Sequence, residues 1–371
     1  MRKQETIVEN HPFATVLLQW FRQNGRPLPW RETRDPYAIW LSEVILQQTR
    51  IQQGQAYWER FMARWPRVEN LAEATEDEVL RMWQGLGYYS RARNLHLAAR
   101  QVVEMGHFPD TLEEIRRLKG VGDYTAAAIG SIAFDIPAAV VDGNVYRVLS
   151  RHFGIDVPIN TPEGKKIFTA LAQELLPKPE ASAFNQAMMD FGAIQCTPRQ
   201  PRCQACPLAE TCVALREGRV EDLPVKLRKL QVKTRHLIYI YIRCQGQTAI
   251  HRRGSGDIWQ GLWEPLLLEV RGEKQEVRDG KLEVRSMLED LGLLSPLTSD
   301  LSLLKKNVKH VLTHRILLAD FYLLECNERP SLPNDYIWIN ESDIEDYGVP
   351  RLVSLLIGTV IAHPYTSGLK C

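Results

Sequence analysis

Two groups of side chains in this sequence have types and spacings suited to chemistry. The first is "CTPRQPRCQACPLAETC", residues 196–212, which holds four of the seven cysteines. Cys196, Cys203, Cys206 and Cys212 follow the pattern C-x6-C-x2-C-x5-C. Four thiolates on one short loop can wrap a tetrahedral zinc ion or an iron–sulfur cluster. Zinc sites usually pair two C-x2-C knuckles across a longer gap, and only one such knuckle is present. The spacing therefore favours a cluster and leaves a zinc staple open. Arg199 and Arg202 sit in the first gap, where the same loop could meet phosphate. Cys244, Cys326 and Cys371 are scattered and read as ordinary residues.

The second group is a pair of isolated carboxylates. Glu43, in "DPYAIWLSEVILQQTR", is the only charge between Asp35 and Arg50. A glutamate in such apolar sequence is a candidate for desolvation, which raises its pKa toward general-acid use. The ordinary alternative is a glutamate on an exposed helix face. Asp142, in "AAVVDGNVYRVLSR", is the only charge between Asp135 and Arg147. An aspartate before a helix is commonly an N-cap, and that role is compatible with a second one. One acid and one stabilising carboxylate are the pairing that glycosidic bond cleavage uses. Between them lies "LKGVGDYTAAAIG", where Gly120, Val121 and Gly122 form a tight turn before a helix. Backbone N–H groups at such a helix start can hold a phosphate.

These residues need elements to position them. Residues 12–192 read as helix after helix, with apolar residues at helical spacing in "PFATVLLQWFRQN", "PYAIWLSEVILQQTR", "TEDEVLRMWQGL", "TLEEIRRL", "PEGKKIFTALAQELL" and "ASAFNQAMMDFGAIQ". Thr75 with Glu78, and Thr111 with Glu114, form capping-box patterns. On the helix from Pro36, Trp40, Leu41, Val44 and Ile45 form the expected buried stripe, and Glu43 shares another face with Gln47. After the cysteines the character changes. "PVKLRKLQVKTR", residues 224–235, carries five basic and no acidic side chains. "HLIYIYIRC", "HVLTHRILLADFYLLEC" and "DYIWIN" read as strands. The expected organisation is an all-α domain over 1–220, a basic linker over 221–235 and an α+β domain over 236–371.

Composition sets outer limits. The 371 residues are 44% hydrophobic and 25% charged, as in folded globular chains. No apolar run reaches the ~18 residues of a membrane helix, and residues 1–10 lack the apolar stretch of a signal peptide. The expectation is a cytoplasmic protein in a reducing setting, without disulfides and without a membrane partner. Net charge is +1, so a nucleic-acid surface must be a local patch.

"GVGDYTAAA", "VVDGNVYRV" and the cysteine loop together resemble the helix–hairpin–helix DNA glycosylases with an iron–sulfur cluster. "PLPWR", "SEVILQQTR", "GLGYYSRARNLH" and "NQAMMDFGA" narrow the resemblance to the MutY-type adenine DNA glycosylases, over about residues 26–212. That resemblance implies a [4Fe–4S] cluster on Cys196, Cys203, Cys206 and Cys212. It also implies excision of adenine mispaired with 8-oxoguanine or guanine in duplex DNA, by a bacterial-type, DNA-associated monomer. The adenine must be flipped out, because the stack hides its glycosidic bond. By the same resemblance Glu43 protonates adenine N7 and Asp142 stabilises the oxocarbenium-like sugar, while Tyr124 and Asn144 support them. Arg26, Trp30 and Gln186 line the adenine pocket, Gln48 and Tyr88 wedge into the duplex, and Gly120, Val121 and Gly122 offer donors to phosphate. Bifunctional relatives such as endonuclease III carry a Schiff-base lysine where Tyr124 stands; Lys119 lies just before the hairpin and is the wrong residue by alignment. The implication is a monofunctional enzyme that leaves an abasic site.

The resemblance weakens in the second domain, which is similar to the Nudix-like, 8-oxoguanine-checking domain of that family. "RSMLEDLGL" matches part of a Nudix box, yet Val277 and Ser286 stand where the box needs glutamates, which argues against nucleotide hydrolysis. Thr313 and His314, in "HVLTH", would contact the oxidised guanine, with Leu312 in place of a frequent phenylalanine. Three rivals remain: a glycosylase for thymine opposite guanine, an endonuclease III-like lyase, and a non-catalytic iron–sulfur DNA-binding protein.

Overall fold

A computed structural model describes residues 11–227, 233–269, 280–294, 299–312 and 315–363. The helices are α1 (Pro12–Asn24), α2 (Pro36–Leu46), α3 (Ile51–Arg64), α4 (Val68–Glu73), α5 (Glu76–Met82), α6 (Ser90–Met105), α7 (Leu112–Arg117), α8 (Asp123–Phe134), α9 (Gly143–Phe153), α10 (Pro162–Leu175), α11 (Ala181–Asp190) and α12 (Val213–Arg216). The strands are β1 (Lys233–Cys244), β2 (Gln247–Arg252), β3 (Trp263–Glu264), β4 (Leu266–Glu269), β5 (Ser299–Val311), β6 (Arg315–Cys326) and β7 (Tyr336–Asn340), with α13 (Gly280–Asp290) and α14 (Arg351–Ile361) among them. Backbone packing divides the chain into two units. One is Met1–Glu73 with Asn94–Arg228; the other is Ala74–Arg93 with Lys229–Cys371. The segment from Ala74 to Arg93, read in sequence as part of the helical run, thus groups with the sheet.

The first unit is helical for the reasons its sequence announces. Helix α1 buries Phe13, Ala14, Leu17 and Leu18 against Val145 and Leu149 of α9, Phe168 of α10 and Phe184 of α11. Helix α2 is different, since every residue from Tyr37 to Ile45 is buried. A helix apolar on all sides belongs inside a core, and α2 packs Ile39 with Ala127, Ala128 and Ile132 of α8. Thr111 caps α7 by accepting from Glu114 N at 3.3 Å. In the second unit, Thr75 and Glu78 close a full capping box at α5. Gly120 takes φ 79°, and a Cβ there would stand 2.7 Å from Asn94 Cβ, so the hairpin turn accepts only glycine on both counts.

The second unit is a mixed sheet in the order β3-β2-β1-β6-β5, with β4 on β1 and β7 on β2. β1 pairs in parallel with β6 and antiparallel with β2 and β4. Side chains alternate along a strand, and both faces of β1 are covered. Ile238, Ile240 and Ile242 pack with Val284 and Leu288 of α13 on one side. Leu237, Tyr239 and Tyr241 pack with Leu352, Val353 and Leu356 of α14 on the other. That double burial accounts for the continuous apolar run "HLIYIYI".

The expected linker is not free chain at either described end. Leu223 is buried, and Ile159 N donates to Val225 O at 3.0 Å, which seats this stretch on the helical unit. At the other end Lys233, Thr234 and Arg235 already pair with Arg315, Ile316 and Leu317 in the β1–β6 ladder, which uses backbone groups and needs no apolar side chain. Cys244 and Cys326, far apart in sequence, are register partners on β1 and β6. Cys371 and Val277 lie outside the described residues. Among the described residues, no helix is long and apolar enough to cross a membrane.

Candidate active site

Helix α2 presents Glu43 into a pocket of about 310 Å³ in the helical unit. The pocket is lined by Arg26, Trp30, Glu43, Tyr124, Asp142, Asn144 and Gln186, all singled out from sequence, and also by Arg31, Arg50 and Met189. Seven candidates spread over more than 160 residues of chain thus share one cavity of base-like size.

Glu43 is 8% exposed, so the surface-glutamate reading is overturned. The residues around it on α2, Tyr37 to Ile45, are all buried, so little water reaches its carboxyl. Burial pushes its carboxyl up to about 7. The Tyr124 hydroxyl donates to Glu43 Oε2 at 3.1 Å and pulls in the opposite direction, the Asp142 charge raises it, and Arg31 lowers it. Tyr124 also lies 3.6 Å from the Met189 sulfur, and burial raises its phenol further above the usual value. Gln47, one turn on, donates to Thr125 Oγ1 at 3.3 Å and is not among the residues lining the pocket.

Asp142 is the N-cap of α9. Its Oδ1 accepts from Asn144 N at 2.9 Å and Val145 N at 2.8 Å, and Asn144 Nδ2 donates to its Oδ2 at 2.7 Å. The cap and the pocket position coexist in one residue. Burial raises its pKa, while the three donors and Arg147 oppose the shift. Those donors, with the positive end of the helix dipole, are arranged to favour the carboxylate anion. Arg147 Nη2 in turn donates to Asn144 Oδ1 at 2.8 Å and to Gly192 O at 2.5 Å. A Cβ at Gly192 would stand 2.5 Å from Asn144 Cβ, so this glycine lets α9 close on the turn that follows α11.

Arg26 and Trp30 are set by the turn around "PLPWR". Trp30 is buried and packs edge-on against Trp58, 5.8 Å between centroids. Arg26 binds Asp190 through its backbone N at 2.9 Å, through Nε at 2.9 Å, and also through Nη2. Gln186 donates to Ser182 Oγ at 3.1 Å. Gln48 follows the end of α2 in the left-handed region, φ 57°, and is exposed. In the second unit Tyr88, also left-handed at φ 49° and 48% exposed, lines a pocket of about 670 Å³ with Trp259, His310 and Leu312. Gly120, Val121 and Gly122 stand at the start of α8, where Gly122 is the N-cap. Lys119 is exposed at the turn and does not line the active-site pocket. Thr313 and His314 lie outside the described residues.

The cysteine loop follows a π-helical turn, Phe191–Gln195, that ends α11. All four thiols are free of disulfides. Arg151, 3% exposed, organises the loop. Its guanidinium donates to Thr197 O at 2.7 Å, Pro198 O at 3.2 Å and Cys196 Sγ at 3.4 Å, and its carbonyl accepts from Cys212 Sγ at 3.5 Å. Burial pushes the Cys206 thiol up to about 11, and the neighbouring Cys196, Cys212 and Cys203 add to the rise. Among the described residues, no three His, Cys, Asp or Glu side chains converge closely enough for a single metal ion. Arg199 and Arg202 are exposed on this loop.

Sequence reasoning missed Arg31, Asp190 and Arg147. Asp190 carried the signal used for Glu43 and Asp142: it is the only charge between Glu180 and Arg199.

Residues 41–178 match the model of the HhH-GPD superfamily base excision DNA repair proteins, and residues 238–358 match the NUDIX domain. The adenine DNA glycosylase of Buchnera aphidicola subsp. Schizaphis graminum is 33% identical over 254 residues, 68% of this chain and 73% of that protein. The adenine DNA glycosylase of Mus musculus is 44% identical over 227 residues, 57% of this chain but only 44% of the mouse protein. Among solved structures, a thermostable thymine-DNA glycosylase superposes with a TM-score of 0.52 at 32% identity, covering 55% of this chain and 95% of its own.

Proposed function

This chain belongs to the adenine DNA glycosylases, hydrolases of N-glycosyl bonds, and from that premise we propose that it removes adenine opposite 8-oxoguanine or guanine in duplex DNA and leaves an abasic site. The observation that carries this reading is the meeting of Glu43 and Asp142 in one base-sized pocket, with Tyr124 bonded to Glu43.

The two carboxyl groups divide the work. Glu43, with a pKa near 7, holds a proton to deliver to N7 of the flipped adenine, which turns the base into a neutral leaving group. Asp142, held at a helix N-terminus by three donors, faces the positive charge that develops on the sugar. Asn144 fixes the Asp142 rotamer, and Arg147 fixes Asn144. Trp30 gives the base an apolar wall, while Arg26 and Gln186 supply polar edges. The cations of the pocket are Arg26, Arg31 and Arg50, and a guanidinium does not form a Schiff base. A strand-cutting lyase step therefore has no nucleophilic amine among the described residues lining the pocket. Outside it, exposed Gln48 is the helical unit's proposed wedge into the duplex, exposed Tyr88 is the second unit's, and the Gly120–Gly122 turn takes a phosphate.

Cys196, Cys203, Cys206 and Cys212 are the ligands proposed for a [4Fe–4S] cluster. A single zinc ion would draw four sulfurs to about 2.3 Å from one centre. The C-x6-C-x2-C-x5-C spacing, with a single C-x2-C knuckle, suits a cluster better. When bound, such a group would tie the loop after α11 to α9 through Arg151 and supply rigidity to the side of the site that holds Asp142. Recognition of 8-oxoguanine is assigned to Thr313 and His314 of the second unit.

The test is single-turnover cleavage of labelled duplexes with adenine opposite 8-oxoguanine, adenine opposite guanine, or thymine opposite guanine, each read with and without hot alkali. Alkali-dependent breaks at adenine, fastest opposite 8-oxoguanine, are expected. Breaks at thymine would move the protein to the activity named for its structural neighbour, and breaks without alkali would overturn the monofunctional assignment.

A further inference from the structure

We propose that Asp190 is a positioning residue for adenine excision, clamping Arg26 and Arg31 so that Arg31 is held back from the Glu43 acid. The inference rests on the adenine glycosylase reading of the pocket.

Asp190 closes α11, and its side chain has no exposure to solvent. An aspartate at that depth needs partners, and it has two guanidiniums. Arg31 donates to Oδ2 at 2.8 Å and to Oδ1 at 2.9 Å, a two-pronged contact. Arg26 adds its backbone N and its guanidinium. Arg31 Nη1 also donates to Arg26 O at 2.9 Å, which ties the two arginines together. The bonds outweigh burial and hold the Asp190 carboxyl below the usual range, so the clamp is charged.

Both arginines line the pocket, and Asp190 does not. Its influence on chemistry must therefore pass through them. The charged and titratable groups that face Glu43 are Tyr124 from α8, Asp142 from the start of α9 and Arg31 from the turn before α2, with Arg26 and Arg50 further along the lining. Arg31 is the one of these whose charge drains the proton from Glu43. Pinned on a buried carboxylate by two hydrogen bonds, its charge is compensated by Asp190. Without that counter-charge the full cation would act on Glu43, favour its anion and leave less general acid at neutral pH.

The experiment measures single-turnover adenine release across pH 5.5–9 for the wild type, Asp190→Asn, Arg31→Gln and the double variant, all on full-length protein. Asparagine keeps the shape and an acceptor for the guanidiniums, whereas Asp190→Ala would strip both half-buried cations of their acceptor. Thermal unfolding and duplex binding report whether each variant is folded. The wild-type rate falls as pH rises through about 7. In Asp190→Asn that fall is expected about one pH unit lower, with a loss on the order of tenfold at pH 7.5 that shrinks at pH 5.5. Arg31→Gln is expected to move the fall upward, and the double variant to show no downward shift.

A uniform loss at every pH would mean that Asp190 serves the fold only, and would overturn the proposal. So would a downward shift that persists in the double variant, because the effect would not run through Arg31. Should Asp190→Asn fail to fold, a folded Arg31→Gln whose fall stays in place overturns it as well. A wild type that releases no adenine would remove the functional reading itself. A wild type with the fall, beside an Asp190→Asn without the shift, removes this inference alone.

Discussion

Two carboxyl groups face one pocket from opposite kinds of backbone. Glu43 sits in the middle of α2, where the main chain is already hydrogen-bonded to itself and every neighbour from Tyr37 to Ile45 is buried. It receives one side-chain donor, the Tyr124 hydroxyl. Asp142 sits just before α9, where the first N–H groups have no helical partner, and it receives three donors. Burial raises both pKa values; three donors and Arg147 oppose the rise at Asp142, against one donor and Arg31 at Glu43. A mid-helix position withholds donors and favours a proton-bearing acid; a helix start supplies donors and favours a stabilising anion. The fold thus separates two chemically similar side chains into two roles.

The sharpest way to break that contrast is to remove the proton from one side and the charge from the other. Glu43→Gln keeps an acceptor for Tyr124 and the same volume, but has no acid. Excision should fall by about 10²–10⁴-fold, while duplex binding stays within about threefold of wild type. Unchanged excision would mean that the acid is elsewhere. Asp142→Asn keeps an oxygen for the two backbone donors of α9 and removes the charge. A loss of about a hundredfold or more is expected, with an unfolding temperature close to wild type because asparagine caps as well as aspartate. An Asp142→Asn enzyme with near-normal single-turnover rates would place sugar stabilisation on another group.

How far this contrast could be read from sequence depends on where each partner lies. Glu43 announced itself through charge isolation in an apolar helix, and Asp142 through isolation before a helix. The same reasoning applied to "NQAMMDFGA" would have drawn out Asp190, but its meaning lies in Arg26 and Arg31, about 160 residues away. Local pattern shows that a buried charge exists and not which cation satisfies it. The sheet unit shows a similar limit. "HLIYIYIRC" reads as a strand, yet the inclusion of Lys233, Thr234 and Arg235 in β1 rests on ladder pairing with β6, and the grouping of Ala74–Arg93 with the sheet follows from tertiary packing. Glycine at 192 has no explanation in its own stretch of chain, because its reason is the approach of Asn144 on another helix.

A smaller perturbation tests what sets the Glu43 proton. The wild-type rate requires Glu43 protonated, so it should be full below about pH 6 and fall as pH rises through about 7. Tyr124→Phe deletes the one hydrogen bond that favours the Glu43 anion, so the acid holds its proton longer. The fall should move upward by roughly half to one pH unit, with the rate at pH 6 within about tenfold of wild type. A fall that stays in place would show that burial alone sets the acid and that the tyrosine serves only to fill the pocket.

The smallest expected effect separates the two duties of Asp142. Alanine removes both the charge and the cap, so Asn144 N and Val145 N lose their acceptor and the start of α9 must find water instead. Compared with Asp142→Asn, Asp142→Ala should lose a further ~1 kcal/mol of stability, while both variants lose the same catalytic charge. Denaturant unfolding read on the helical signal, beside single-turnover rates, gives the comparison. Equal stability of the two variants would mean that α9 is held by its packing on α1 and α10 and that the aspartate is there for chemistry alone. A catalytic gap between them would mean that the asparagine amide still assists the sugar, so that orientation at the helix start, and not charge by itself, is what Asp142 contributes.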